Sequence, residues 1–129
     1  MTFGPRKFRV SEQEDAMIKR IPGSVPTRSK VVIHNGLIYT VATAPNKSAP
    51  LYEQTREALA AIDRNLAEAG SHKSRILTAT VFITDMGRKP EMNRAWDEWV
   101  DKANPPRRAC IGVVLEDKDL VEILVIAAQ

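Results

Sequence analysis

The chain has 129 residues, 43% of them hydrophobic and 27% charged, with a formal net charge of +3. That balance suits one globular domain of about 100–150 residues and excludes the low-hydrophobicity, high-charge signature of disorder. The single cysteine, Cys110, excludes an intramolecular disulfide, and the longest uncharged apolar run, Ile123 to Ala128, falls far short of the about 20 residues of a membrane helix.

The N-terminus, MTFGPRKFRVSEQEDAMIKR, has no apolar stretch of signal-peptide type, so a cytoplasmic location is expected. Residues 1–30 hold seven Lys/Arg against three Asp/Glu. Residues 1–27 therefore read as a basic arm, and residues 28–129 as the domain. The arm lacks the interleaved aromatics of a nucleic-acid platform, so a nucleic-acid partner is not expected.

Ile21 to Thr27, with two prolines and a glycine, predicts a break in regular structure. The β-branched runs Lys30–Ile33 and Leu37–Ala42 flank His34-Asn35-Gly36, and Asn-Gly predicts a tight antiparallel hairpin. Thr43 to Ala49 reads as a loop. Pro50 then suits the first turn of a helix whose apolar stripe is Leu51, Ala58, Ile62, Leu66 and Ala69, with Gly70 as its stop. Ile76 to Thr84 alternates but is apolar on both faces, as in a central strand. A second helix follows Pro90 with the stripe Met92, Trp96, Trp99 and Ala103, and Pro105-Pro106 end it. Arg108–Leu115 and Leu120–Ala127 are the final strands, joined by Glu116–Asp119. The order β-β-α-β-α-β-β predicts an α+β fold with two helices on one face of a mostly antiparallel sheet. Val32, Val41, Val113 and Val125 suggest that the other face is partly apolar, and oligomerisation would cover it.

No Gly-rich phosphate loop, GxSxG, HExxH or CxxC occurs. His34 and His72 both fall in turns, so no metal site is expected. Cys110 is either a buried structural thiol or a thiolate assisted by Arg108, two residues away on the same strand face. Asn93 is polar beside the apolar positions Met92 and Trp96. Glu122 interrupts LVEILVIAA, where an unpaired buried carboxylate is costly. It is therefore an ion-pair partner of Arg107, Arg108 or another chain, or a general base that orients water.

TATVFITDM, MNRAWDEW, PPRRACIGVVL and LVEILVIAA, with HNGLIYT and the helix ending LAEAG, resemble the RidA (YjgF) family over residues 28–128. The resemblance implies a fold like the trimeric bacterial chorismate mutase, with clefts between subunits. It implies hydrolysis of reactive 2-imino (enamine) acids to 2-keto acids and ammonia, with no metal or organic cofactor. Carried over residue by residue, it makes Arg108 the carboxylate anchor, Glu122 the water-orienting group, Asn93 a cleft residue and Cys110 the cysteine beyond the arginine. Two positions depart from the deaminase pattern: Arg28 stands where a tyrosine is usual, and Val41-Ala42-Thr43 where Ser-Gly-Gln is usual. Arg28 and Thr43 would still line the cleft, Arg28 as an added cation. A non-catalytic trimer that binds small carboxylate metabolites is the alternative. If Glu116–Asp119 closes a regular hairpin, Glu122 opposes Val113 and shares the face of Arg107 rather than Arg108. Arg107 is therefore the competing anchor, unless a bulge reconciles Arg108 with Glu122.

Overall fold

A computed structural model describes residues 17–129. Six strands form one sheet: β1 (Lys19–Pro22), β2 (Ser29–His34), β3 (Leu37–Thr43), β4 (Ile76–Ile83), β5 (Arg107–Gly112) and β6 (Val121–Ala128). Helices α1 (Leu51–Glu68) and α2 (Lys89–Trp99) pack on one side. The sheet order is β1-β2-β3-β6-β4-β5. Every pairing is antiparallel except β4 with β5.

Local chemistry explains the first half. Asn35 and Gly36 take positive φ angles of 53° and 72°, the left-handed pair that a two-residue hairpin needs. The α1 stripe is buried from Leu51 to Ala69. After α1, Ser71 N–H donates to Leu66 O at 2.8 Å and Gly70 N–H to Ala67 O at 3.1 Å, with Gly70 at φ 79°. This paired closure needs a left-handed residue. A Cβ at Gly70 would meet nothing within 4 Å, so the φ angle alone sets the cost of a side chain. Gly70→Ala should lower stability by about 1–2 kcal/mol, read from urea unfolding.

Four expectations need correction. Ile21 and Pro22 are not part of a break but close β1, an edge strand, where proline's missing N–H costs no ladder bond. The sheet therefore begins inside the segment expected to be an arm; residues 1–16 of that arm lie outside the described residues. Next, α2 stops at Trp99, and Ala103 is an exposed turn residue. Val100 turns extended at ψ 144°, and the Asp101 carboxylate accepts from Ala103 N–H at 3.0 Å, diverting the backbone from the helix. The Asn104 amide, then Ala103 N–H, hold that carboxyl below its usual pKa range.

The third correction concerns the last two strands. β5 and β6 are not a hairpin, because β4 lies between them. β4, α2 and β5 make a parallel crossover unit. Finally, Val125 faces the helices: it is 2% exposed and opposes Thr40 and Ala79. Val32 and Val41 lie on the open face as expected, opposite Tyr39 and Leu124, and Tyr39, Leu124 and Ile111 are 43%, 41% and 44% exposed there. Among the described residues no helix is long and apolar enough to cross a membrane.

Candidate functional site

The ladders carry Glu122 to a defined place. It is the second residue of β6, opposite Thr43 in β3 and Phe82 in β4, and it points to the open face. There it lines a groove of about 340 Å³ together with Arg28, Val41, Thr43, Glu116 and Asp119. Three of the residues singled out from sequence, Arg28, Thr43 and Glu122, therefore meet in one groove. Arg28 ends a turn closed by Gly23 N–H to Arg28 O at 3.1 Å and Arg28 N–H to Val25 O at 3.4 Å. That turn brings its side chain to the groove wall. Among the described residues Glu122 forms no ion pair, so neither Arg107 nor Arg108 of its own chain neutralises it.

The other three candidates gather elsewhere. Arg108 opposes Ala79 and faces the helices. Its guanidinium lies 5.3 Å from the Trp96 ring centroid, with Nη1 3.8 Å from Met92 Sδ. Cys110, two residues on, opposes Val81 and packs partly buried against the core. Asn93 follows Met92 on α2, and its Oδ1 is buried without a hydrogen-bond partner among the described residues. A buried amide oxygen left unpaired costs free energy, so this atom is poised to accept from a donor that the other described residues do not supply. Arg107 alternates to the open face, exposed, with Nε donating to Thr78 Oγ1 at 3.3 Å. Glu122 thus shares a face with Arg107, as strand alternation predicts, although by way of β4 and not through a hairpin. Within one chain the Glu122 groove and the Arg108 cluster lie on opposite faces of the sheet. β5 is an edge strand, so Arg108 and Cys110 also stand at the rim, where a neighbouring molecule could reach them.

Two groove residues, Asp119 and Glu116, and the cation Lys47 behind them carry no signal in the sequence. Lys47 pairs with Asp119 and donates to Thr43 Oγ1 at 3.1 Å, tying the β3–α1 loop to the loop before β6. Glu116 supplies the third carboxylate of the wall. Their pattern in sequence is that of ordinary solvated charge, and only the tertiary approach of two loops joins them.

The model of the family described as Endoribonuclease L-PSP matches residues 19–129, beginning at the first residue of β1. The chain belongs to this family, the RidA (YjgF) family. Among its RidA-family relatives, a RutC family protein of Haemophilus influenzae is 47% identical over 102 residues, 77% of this chain and 88% of that protein. The RutC family protein YoaB of Escherichia coli is 42% identical over 101 residues, 78% of this chain and 89% of its own length. A YjgF-family crystal structure from Neisseria meningitidis superposes with a TM-score of 0.82 at 38% identity, covering 87% of this chain and 94% of that one. A Pseudomonas aeruginosa protein of 30% identity gives a TM-score of 0.82 over 87% and 98% of the two chains. The sheet and its two helices are thus the chorismate mutase-like fold that the RidA family shares.

Proposed function

We propose that the chain is an imine/enamine deaminase that hydrolyses 2-imino acids to 2-keto acids and ammonia in clefts between the subunits of a homotrimer. The observation that carries this reading is Glu122: a carboxylate with no ion pair among the described residues, open to a groove on a partly apolar sheet face. Family membership supports the same chemistry.

In this reading Arg108 of one copy enters the Glu122 groove of its neighbour and grips the substrate carboxylate with two parallel N–H donors. Glu122 accepts a hydrogen bond from a water and aims it at the imine carbon. The C–O bond forms as the C=N π electrons move to nitrogen, which takes a proton. The resulting carbinolamine collapses to the keto acid and expels ammonia, Glu122 carrying the proton between oxygen and nitrogen. Thr43, Asn93 and Cys110 line the cleft, and Arg28 adds a cation at its outer wall.

Val41 offers no hydroxyl to a ligand, and this observation favours the alternative, a trimer that binds small carboxylate metabolites without turnover. Keto-acid release from 2-iminobutanoate and 2-iminopropanoate generated in situ separates the two. Keto-acid binding without turnover would leave the binder. The family model's name raises RNA cleavage as a third activity. The groove sets Glu116, Asp119 and Glu122 beside Arg28 and Lys30, not the continuous basic surface that tracks a phosphate backbone, and this favours a small substrate over RNA.

Assembly gives an independent check. Sedimentation should show three copies of the 14.4 kDa chain, because Tyr39, Ile111 and Leu124 need cover. A stable monomer would remove any cleft shared between subunits.

A further inference from the structure

Gln54 sits on the core-facing stripe of α1, between Leu51 and Ala58, and is completely buried. Helix packing alone is better served there by leucine, because a buried amide contributes little unless all its hydrogen bonds are made. Gln54 uses both ends of its amide on backbone of two loops, the one just before α1 and the one just before β6. Its Nε2 donates its two hydrogens to Ala49 O at 3.1 Å and Lys118 O at 3.2 Å, and Lys47 O at 3.4 Å shares one of them as a weaker third acceptor. Its Oε1 accepts from Leu120 N–H at 3.0 Å.

These partners are not scattered. Lys118 and Leu120 flank Asp119, so one amide grips the chain on both sides of a groove-lining carboxylate. Lys47, the cation that pairs with Asp119, is held through its own carbonyl by the same Nε2. Lys47 in turn reaches Thr43 on the groove wall, and Glu122 lies two residues beyond Leu120. The β3–β6 ladder already fixes Glu122 against Thr43. What the ladder does not fix is the loop wall, and that is what Gln54 holds.

We propose that Gln54 is a positioning residue for the Glu122 groove: by clamping the backbone of Lys47, Ala49, Lys118 and Leu120, it sets the wall against which the substrate is seated. The proposal rests on the deaminase reading of that groove. It assigns Gln54 no contact with substrate. Its effect passes through Asp119, Lys47 and Thr43, so it falls on substrate seating more than on water attack, and on KM more than on kcat.

Gln54→Leu keeps the core filled and removes the clamp. On the full-length protein, kcat/KM for 2-iminobutanoate should fall by about 10²-fold, the usual consequence of an ångström-scale misplacement, with most of the loss in KM. Lys47→Met breaks the ion pair between the same loops. The two substitutions together should cost less than the sum of their separate effects, because they act on one element. Amide hydrogen exchange should quicken in residues 44–50 and 114–120 while β3, β4 and β6 stay protected. A lowered melting temperature with KM unchanged would overturn the proposal, as would strictly additive effects on KM or unchanged exchange in both loops. If Gln54→Leu does not fold, Gln54→Met carries the same measurements. If the wild type turns over no 2-imino acid, the deaminase reading fails, and the Gln54 proposal is then decided on the affinity for 2-oxobutanoate measured by calorimetry. A wild type that binds no 2-oxobutanoate either overturns both.

Discussion

Glu122→Gln should lower turnover of 2-imino acids by about 10²–10⁴-fold, the usual worth of general-base assistance. The substitution keeps the size of the side chain and its ability to hydrogen bond, but removes the charge that polarises the attacking water. Ligand affinity should change little, since the carboxylate of the substrate is gripped elsewhere. Melting temperature should also hold. Glu122 is half-buried on the open face, and among the described residues it has no ion pair whose loss would orphan a cation. A structural carboxylate would behave in the opposite way: turnover would survive, and the melting temperature would fall as a buried arginine of a neighbouring chain lost its partner. Measuring turnover, affinity and melting temperature on this one variant decides between them.

Arg108→Ala should weaken keto-acid binding by about 2–5 kcal/mol, the cost of truncating one partner of a desolvated charge pair. That is about one and a half to three and a half decades in affinity. Arg108→Lys should recover only part of it, because an ammonium cannot reproduce the planar fork. The guanidinium also stacks near Trp96, so both variants need a melting temperature beside the affinity. Loss of stability without loss of binding would make Arg108 a packing residue. Arg107→Ala is the necessary companion. Arg107 shares the open face with Glu122, whereas Arg108 faces the helices. Retained binding in both Arg108 variants, with binding destroyed in Arg107→Ala, would transfer the anchor to Arg107.

The location of the candidate site depends on residues that differ in how far their neighbours in sequence determine them. Glu122 was conspicuous because a carboxylate breaks an apolar strand, a signal that needs no knowledge of the fold. Gln54 carries a weaker form of that signal, a polar residue at helical spacing from Leu51 and Ala58. Two of its four partners, Lys118 and Leu120, are 64 and 66 residues away, and no local pattern indicates which loops will meet.

The sequence by itself determined the elements whose cause is local. Asn35-Gly36 supplies the positive φ angles of the hairpin, the α1 stripe has helical period, and Gly70 terminates it. Each depends on interactions spanning a handful of residues, so composition and spacing suffice. Tertiary structure alone decided which strands pair and which face each one presents. A period of two says that residues alternate, but it does not choose the buried side, and Val125 lies opposite to its expected face. Nor does it say that β4 will separate β5 from β6: closing the parallel β4–β5 crossover across α2 is a long-range choice, stabilised by burying Val81, Ile83 and Ile123 under the helices. Glu122 and Arg108 stand on opposite faces of one chain. Alternation along the strands already separates the two faces in the sequence; the sheet order adds that β4 stands between β5 and β6, so the proposed site draws its arginine from a second copy.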